Sequence, residues 1–334
     1  MLFHVNESTD PAFNLALEEL LFSVSEDEHF LLWRNAPSII VGRHQNTAAE
    51  IHAPGVAKRK LPVVRRITGG GAVYHDLGNI NFSFILRSAE WTTGQSAENL
   101  LAPILSFLRD QGLKSVRFTG RNDIVADGLK ISGCARSILR GRTLFHGTLL
   151  FHTDLGVLAE VLNPDREKIR SKGIRSVRAR VGNIRELMDS PCSTDEFLER
   201  ITSGLLRRFG KSGQKDPLPP HLSLEEKAEV LAETKYRSWE WNYGTPLAYD
   251  FENSGRFPGG SVKVSMNIAE NRIRDLRFSG DFFTTLPLDG LCKALEGLPP
   301  RKEVLLEVLK TIPLESYIAG VGAEDLASLL SLSS

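Results

Sequence analysis

The sequence predicts an α+β protein with one large domain followed by a small one. Its 334 residues exceed one average domain, and a hydrophobic content of 41% supplies enough apolar side chain for a substantial core. Helical and strand-like segments follow one another up to about Leu247, where the pattern changes. We therefore predict a large domain over residues 1–246 and a small α+β accessory domain over residues 247–334.

The first predicted elements are one helix and two short strands. Asp10 before Pro11 indicates a helix start, because the carboxylate can cap free amides and proline suits the first turn. Apolar residues then repeat at helical spacing. The β-rich runs 30–34 and 38–42 flank Asn35-Ala36-Pro37, which we interpret as a turn between neighbouring strands.

Three consecutive glycines, Gly69, Gly70 and Gly71, are the most unusual feature of the chain. They are too flexible to be favoured inside a strand or helix, so they indicate a close approach to the backbone. Arg65 and Arg66 precede them, and glycine amides beside guanidinium groups can form an anion-holding concavity. The context matches neither GxxxxGK[ST] nor a GxGxxG that opens a helix, so P-loop and Rossmann interpretations fail.

The rest of the pattern completes the two domains. Apolar alternation after the glycines predicts a strand over 80–86, and Asp127-Gly128 is a hairpin signal. The other predicted elements are a helix over 97–111 ended by Gly112, strands over 116–119, 123–126, 129–132 and 143–153, helices over 194–209 and 224–231, and C-terminal strands over 261–268 and 272–278.

Composition narrows the function classes. Lys plus Arg and Asp plus Glu number 41 each, so the net charge gives no argument for a nucleic-acid partner or an anionic membrane surface. Cys134, Cys192 and Cys292 are widely separated and odd in number, which argues against a disulfide framework or a CxxC metal site. No signal-peptide pattern or membrane-length apolar run is seen, so we expect a soluble, cytoplasmic protein.

A few polar residues outside the glycine segment are candidates for chemistry. A compact ammonium at Lys130 can neutralise phosphate or carboxylate charge, although a solvated hairpin lysine is the commoner outcome. Asp123 can hold magnesium beside a phosphate site, or be an ordinary turn acid. Cys134 with His146 would make an acyl-accepting pair, but a small buried hydrophobe is preferred. His75 and His146 lack metal-ligand spacing, which favours structural or substrate-orienting roles.

A basic segment over residues 168–180 is the last candidate. Its alternation of arginine and serine is more typical of a phosphate-binding loop than of a helix face, and few acidic residues offset it locally. A solvated loop is the alternative.

Six segments, spread in order over nearly all of residues 1–244, form a combined pattern: LWRNAPSIIVGRHQN, RRITGGGAVYHDLGNINF, GRNDIVADGLKISGCA, FHGTLLFHTDL, KGIRSVRARVGNI and SWEWNYG. With them the chain resembles bacterial lipoate-protein ligases of the A type. The resemblance implies a catalytic domain of mixed β-sheet with flanking helices, similar to biotin-protein ligases, and a small C-terminal accessory domain.

The resemblance also implies a two-step reaction. Lipoate (or octanoate) and ATP, with Mg2+, would give lipoyl-AMP and pyrophosphate. The lipoyl group would then pass to a specific lysine of a lipoyl-domain acceptor protein, such as E2 subunits of 2-oxoacid dehydrogenases or the glycine cleavage H protein. Preorganised cations and amides suit the first step, because two anions must meet.

Individual residues take roles from the same resemblance. Lys130 matches the family lysine that contacts both lipoate and phosphate. Arg66 and the run from Gly71 to Tyr74 match the nucleotide-binding segment, and residues 172–183 match the adenylate-binding loop. Gly70, His75 and Ala135 lie along the expected lipoyl tunnel. The full expected binding set, with Asp123 also as the magnesium ligand, is Arg66, Gly69, Gly70, Gly71, Ala72, Val73, Tyr74, His75, Asn79, Asp123, Lys130, Gly133, Ala135, Lys172, Ser176, Arg178 and Arg180.

One departure keeps alternatives open. Cys134 stands where the family motif often has serine, which allows an ATP-independent octanoyl or lipoyl transferase with a cysteine acyl intermediate. A lipoyltransferase that uses preformed lipoyl-AMP is a second alternative. A non-catalytic lipoate-binding protein is a third, although Lys130 and the glycine loop are both retained.

Overall fold

A computed structural model describes residues 1–87, 95–163, 181–209, 222–244, 249 and 251–331 of the chain. In the described N-terminal part, strands form a large sheet and a small one. These strands are β1 (Leu2–Val5), β2 (His29–Trp33), β3 (Ser38–Val41), β4 (Val63–Arg65), β5 (Val73–His75), β6 (Asn79–Leu86), β7 (Arg117–Phe118), β8 (Asp123–Ala126), β9 (Leu129–Leu139) and β10 (Arg142–Leu150).

The large sheet has the strand order β1-β2-β6-β10-β9-β8-β7. Only its β1–β2 pair is parallel, and the other neighbours run antiparallel. The small sheet has the order β4-β3-β5 and also combines parallel and antiparallel pairs. The predicted mixed sheet and the α+β class are therefore confirmed.

Helices cover both faces of the large sheet. The helices of this part are α1 (Pro11–Val24), α2 (Thr47–Glu50), α3 (Ala53–Arg59), α4 (Gln95–Asp110), α5 (Leu155–Val161), α6 (Thr194–Phe209), α7 (Leu222–Leu231) and α8 (Trp239–Asn242), with a 3-10 turn at Ile184–Leu187 and a π-helical turn at Ala232–Tyr236. Apolar residues of α4 and α6 pack on one face together with Phe82 and Phe145, and α1 packs on the other with Leu31 and Leu144.

The C-terminal part has its own sheet and its own core. Strands β11 (Phe251–Phe257), β12 (Gly260–Ala269) and β13 (Arg272–Gly280) form an antiparallel sheet. Helices α9 (Asp289–Leu295), α10 (Lys302–Thr311), α11 (Leu314–Tyr317) and α12 (Ala323–Leu330) follow it. Their apolar side chains bury Val262, Val264 and Phe278 of the sheet. The predicted domain boundary after residue 246 lies outside the described residues.

Local sequence signals explain several element ends. The Asp10 carboxylate accepts a hydrogen bond from the Ala12 amide at 2.9 Å, as predicted for the start of α1. Asp127 and Gly128 have φ of 47° and 78° between β8 and β9, which is the left-handed geometry of a tight hairpin. None of the helices in the described part of the chain combines the length and apolar character that a bilayer crossing requires.

The prediction that the two strands around Asn35-Ala36-Pro37 are neighbours is wrong. β2 lies in the large sheet and β3 in the small one, so the connection crosses between sheets. The cause is the buried Asn35 side chain, which bonds Asn14 and His75 instead of closing a hairpin. Asn35, which we had interpreted as a turn residue, is therefore a buried polar residue of the core.

The C-terminal part contacts the loop that follows β3. The Gly280 amide donates to the His44 carbonyl at 2.8 Å, and the His44 ring stacks on Phe282 with centroids 5.1 Å apart. His44 Nε2 also lies 3.1 Å from Thr284 Oγ1. The two parts thus meet beside the glycine segment, because a Cβ on Gly69 would lie 2.3 Å from the Phe282 carbonyl oxygen.

Candidate active site

A row of mostly polar residues crosses one face of the large sheet. Asp123 pairs with Gly133, the Gly133 amide donates to Thr148 Oγ1 at 3.1 Å, and Thr148 and Trp33 both pair with Asn81. Paired residues of neighbouring strands direct their side chains to the same face. We call this row the site face. His146, two residues before Thr148 on β10, faces the same way and lies 2.8 Å from Thr68 at the start of the glycine segment.

Lys130 and Asp123 form an ion pair at one end of the site face. Lys130 Nζ lies 2.7 Å from Asp123 Oδ1, and the two side chains are 35% and 30% exposed. A Cβ on Gly133 would lie 3.3 Å from both Nζ and Cε of Lys130, so this glycine leaves room for the ammonium. The Lys130 carbonyl accepts from the Gly182 amide at 3.0 Å. The lysine is thus anchored through both its backbone and its charge, and is not a free hairpin residue.

The Arg66 guanidinium holds the glycine loop from inside. Nη2 donates to the carbonyls of Gly69 and Gly71 at 2.7 and 2.9 Å, and Nε donates to Thr68 Oγ1 at 3.0 Å. Nη1 donates to the Ile40 carbonyl at 3.2 Å. Burial lowers the pKa of Arg66 to about 10, which still leaves the group charged near neutral pH.

This arrangement directs two loop amides away from Arg66. In a trans peptide the N–H points opposite to the preceding C=O, and the described part of the chain has no cis peptide bond. The amides of Gly70 and Ala72 therefore point away from the guanidinium that binds the carbonyls of Gly69 and Gly71. No described residue accepts a hydrogen bond from either amide. Two free N–H groups at a glycine loop are a suitable anion-binding element.

Arg65 has a different role from its neighbour Arg66. Its guanidinium is buried and its hydrogen-bond donors are all directed at main-chain carbonyls or at Thr47 Oγ1, the carbonyls being those of Gly42, Arg43, Gln45, Trp241 and Asn242. Burial, with the nearby arginine charges, lowers its pKa to about 10. The expectation that Arg65 helps to hold an anion is therefore not met, and this residue instead joins α8 to the loop after β3.

His75 presents one defined N–H group. Asn14 Nδ2 donates to the carbonyls of Ser8 and Arg34, so its NH2 group must also face Asn35 Oδ1, 2.9 Å away. Asn35 Nδ2 then donates to His75 Nδ1 at 3.1 Å. Burial lowers the pKa of His75 to about 3, so the neutral ring carries its hydrogen on Nε2. That buried N–H has no partner among the described residues.

Two further expected residues lie on or beside the site face. Asn79 begins β6, and its Nδ2 donates to Asn81 Oδ1 at 2.9 Å. Ala135 pairs with His146 on β10, two residues along β9 from Gly133. The structure therefore places Asn79, Gly133 and Ala135 on the same face of the large sheet as Asp123.

The run that we expected to bind the nucleotide continues from the loop into β5. Ala72 and Val73 are partly exposed, whereas Tyr74 is buried in the core of the small sheet with Ile39 and Val41. Burial raises the pKa of Tyr74 to about 12. Any ligand contact of Tyr74 is therefore expected to use its backbone. Lys172, Ser176, Arg178 and Arg180 lie outside the described residues.

Cys134 and His146 cannot form a catalytic pair. Cys134 pairs with Gly147, and a Cβ on Gly147 would lie 3.0 Å from Cys134 Sγ, so both face the same core. His146 precedes Gly147 and points to the opposite face, where it bonds Thr68 and Glu18. Burial also raises the pKa of the Cys134 thiol to about 12. The preferred interpretation of Cys134 as a small buried hydrophobe is confirmed.

Sequence reasoning missed Glu18, which is the carboxylate that His146 contacts. His146 Nδ1 lies 2.9 and 3.0 Å from the two Glu18 oxygens, and Glu18 is buried. The available signal was a charged residue inside the apolar stripe of α1, directly after Leu17. An acidic residue at such a position requires a buried partner.

The described residues contain no group of three or more His, Cys, Asp or Glu side chains arranged to hold a metal. Asp123 therefore offers a single carboxylate. One carboxylate fits Mg2+ where substrate phosphates supply most of the other oxygens, as is usual for this ion.

Comparison with known protein families gives two matches, one to each part of the chain. The family model of the lipoyl protein ligase A/B catalytic domain matches residues 10–206. The model of the bacterial lipoate protein ligase C-terminus matches residues 247–330. Together they include every described residue of the site face and the whole of the C-terminal sheet.

Individual relatives agree with the family models. The lipoate-protein ligase LplJ of Bacillus subtilis is 36% identical over 336 residues, which is 99% of this chain and 100% of the relative. The structure of Plasmodium falciparum LipL1 in complex with lipoate has a TM-score of 0.77 at 24% identity, covering 93% and 94% of the two chains, and so supports the fold. A lipoate-protein ligase A structure bound with ATP has a TM-score of 0.60 at 27% identity, covering 73% of this chain and 98% of that one.

Proposed function

The chain belongs to the lipoate-protein ligase family, and we propose that it activates lipoate with ATP and transfers the lipoyl group to a lysine of an acceptor protein. The observations that carry the proposal are the ion pair of Lys130 with Asp123 on the site face and the glycine loop, which Thr68 joins to His146 on the same face of the sheet. Relatives of nearly equal length are ligases, and a structure of similar fold binds ATP.

In the first step the lipoate carboxylate must approach the α-phosphate of ATP. Asp123 holds the Lys130 ammonium on the site face, and an ammonium has three donors, so others remain for substrate oxygens. The amides of Gly70 and Ala72 supply further positive ends, and the glycines beside them carry no side chain that could collide with the ligand. These groups stabilise charge that develops as the carboxylate attacks phosphorus and pyrophosphate leaves.

Asp123 would hold Mg2+, which would supply positive charge to neutralise the substrate phosphates. Contacts among the described residues alone hold Lys130 and the loop amides in place, so their placement does not depend on a metal. Residues 172–180 are proposed to contact the adenylate on the basis of the sequence resemblance.

In the second step the acceptor lysine attacks the acyl carbon and AMP leaves. No enzyme nucleophile is required, since the acyl phosphate is already activated. The position of Cys134 in the core, on the face opposite His146, favours this mechanism over a thioester route. Lipoyl-domain proteins, such as E2 subunits of 2-oxoacid dehydrogenases and the glycine cleavage H protein, are the proposed acceptors. A cytoplasmic location is proposed with them, because the three cysteines are free thiols.

The test is lipoate-dependent exchange of labelled pyrophosphate into ATP by the purified chain with Mg2+. Exchange is expected, and Cys134→Ser should retain most of it because adenylation uses no thiol. Modification of an acceptor domain only when synthetic lipoyl-AMP is supplied would favour the lipoyltransferase alternative. An acyl thioester trapped at Cys134 without ATP would favour the cysteine-dependent transferase.

A further inference from the structure

A chain of buried hydrogen bonds connects helix α1 to the glycine loop. Glu18 on α1 binds His146 Nδ1, and His146 Nε2 lies 2.8 Å from Thr68 Oγ1. Thr68 Oγ1 also accepts from Arg66 Nε. The side chains of His146 and Glu18 are only 9% and 1% exposed, so water has little access to this chain.

The hydrogen atoms of this row of hydrogen bonds can be placed in one way that gives every donor an acceptor. Arg66 can only donate, so Thr68 Oγ1 accepts there and its own hydroxyl hydrogen must go to another acceptor. His146 Nε2 is that acceptor, which places the ring hydrogen on Nδ1, facing the Glu18 carboxylate. A hydrogen on Nε2 would leave the Thr68 hydroxyl hydrogen without an acceptor in a buried place, which is costly.

Glu18 has further support on its other side. Ser83 Oγ donates to Glu18 Oε1 at 2.5 Å and accepts from Trp33 Nε1 at 2.9 Å. The hydrogen bonds from Trp33 through Ser83, and from Arg66 Nε through Thr68 and His146, therefore all run in the direction of the Glu18 carboxylate. The Glu18 charge also counteracts the effect of burial on the Arg66 guanidinium, whose pKa it raises. The carboxylate is thus the fixed end of a relay that leads to the loop.

We propose that Glu18 and His146 are positioning residues for the glycine loop. They fix the Thr68 hydroxyl, Thr68 fixes the Arg66 guanidinium in plane, and Arg66 fixes the carbonyls whose following amides, those of Gly70 and Ala72, face the anionic substrate. The proposal rests on the ligase function for its catalytic consequence. Its structural consequence, a loop held in place by a carboxylate on a distant helix, is independent of that function.

The first measurement uses the 334-residue chain without substrates. Amide hydrogen exchange of residues 68–73 is compared among wild type, Glu18→Gln, Thr68→Val and Thr68→Ser. Glu18→Gln and Thr68→Val break the relay with little change of shape and should accelerate loop exchange about tenfold or more. Thr68→Ser keeps the hydroxyl and should behave like wild type.

Tyr236→Phe is the matched control. It removes the partly buried hydrogen bond from Tyr236 Oη to Glu19 Oε2, 2.6 Å long, which involves the next residue of α1 but does not lead to the loop. It should lower the melting temperature about as much as Glu18→Gln while leaving exchange of residues 68–73 unchanged. Unchanged loop exchange in Thr68→Val and Glu18→Gln, or equal acceleration in Tyr236→Phe, would overturn the proposal.

The second measurement is pyrophosphate exchange with kcat and KM for lipoate determined separately. Glu18→Gln and Thr68→Val should lower kcat about tenfold to a hundredfold, because small displacements of positioning groups cost rate rather than folding. Thr68→Ser should restore the rate. An effect on KM alone would contradict loop positioning. If wild type shows no pyrophosphate exchange, the proposed function fails. The amide hydrogen exchange of residues 68–73 then still tests whether Glu18 and His146 position the glycine loop.

Discussion

Replacing Gly69 with alanine should weaken the contact between the C-terminal part and the glycine loop. The new Cβ would lie 2.3 Å from the carbonyl oxygen of Phe282 and 3.3 Å from its carbonyl carbon. Carbon and oxygen atoms that are not bonded normally remain about 3.5 Å apart. The Phe282 backbone must therefore move by about 1 Å, because a main-chain carbonyl cannot rotate away as a flexible side chain can.

The cost follows from the neighbouring contact. The Gly280 amide lies 2.8 Å from the His44 carbonyl, and a displacement of about 1 Å takes it beyond hydrogen-bond distance. Loss of that hydrogen bond costs about 1 kcal/mol, and the cost of overpacking a close contact, taken at the lower end of its usual range, adds about 1 kcal/mol more. A decrease of about 2 kcal/mol in the free energy of opening corresponds to roughly 30-fold faster exchange.

Amide hydrogen exchange of Gly280 measures this opening directly. Gly69→Ala should exchange faster by about that factor, whereas Gly71→Ala should match wild type, because a Cβ on Gly71 has no atom within 4 Å. Equal protection of Gly280 in wild type and Gly69→Ala would show that Phe282 does not press on the loop. Acceleration in both variants would show a general effect of stiffening the loop instead.

Two other predictions concern charge. Lys130→Ala should lower the rate of single-turnover lipoyl-AMP formation by roughly two to three orders of magnitude. It should change the free energy of unfolding by only about half a kcal/mol, because its ion pair with Asp123 is partly exposed. The control Lys263→Ala removes a comparable 2.8 Å pair with Glu252 and should change neither the rate nor the fold, whereas a normal rate in Lys130→Ala would exclude this lysine from adenylation. Burial lowers the pKa of His29 from 6.5 to about 4, so the free energy of unfolding should be highest above pH 6.5 and fall as pH drops toward 4, where only the unfolded state binds the proton. Urea unfolding of His29→Gln should show a slope in this range smaller by about 1.4 kcal/mol per pH unit, and an unchanged slope would place the titration elsewhere.

The parts of the fold that sequence predicted are those decided within a few residues. The cap of α1, the hairpin at Asp127-Gly128 and the strand after the glycines each follow from local chemistry, and each is confirmed. The assignment of β2 and β3 to one sheet failed because Asn35 bonds Asn14 and His75, both distant in sequence. A polar residue before proline has the same local pattern whether its side chain faces water or the core.

The site residues also fall into those that the sequence predicted and those that it did not. Lys130 and Asp123 were found because their residue types suit phosphate chemistry, and the structure brings them within 2.7 Å. Glu18 was missed because its partner, His146, lies 128 positions away and on a different element. A buried carboxylate inside an apolar stripe predicts some partner, but the sequence alone does not identify it.

Arg65 and Arg66 show how adjacent identical residues take different tasks. Successive side chains along an extended chain point in opposite directions, so Arg66 faces the glycine loop and Arg65 faces α8. Trp241 Nε1 donates to the Arg65 carbonyl at 2.7 Å, and Asn242 Oδ1 accepts from the Arg65 amide at 2.8 Å. The segment SWEWNYG therefore fixes the entry of the glycine loop from a position far along the chain. Its place in the family-like pattern follows from this architectural task, which requires no contact with substrate.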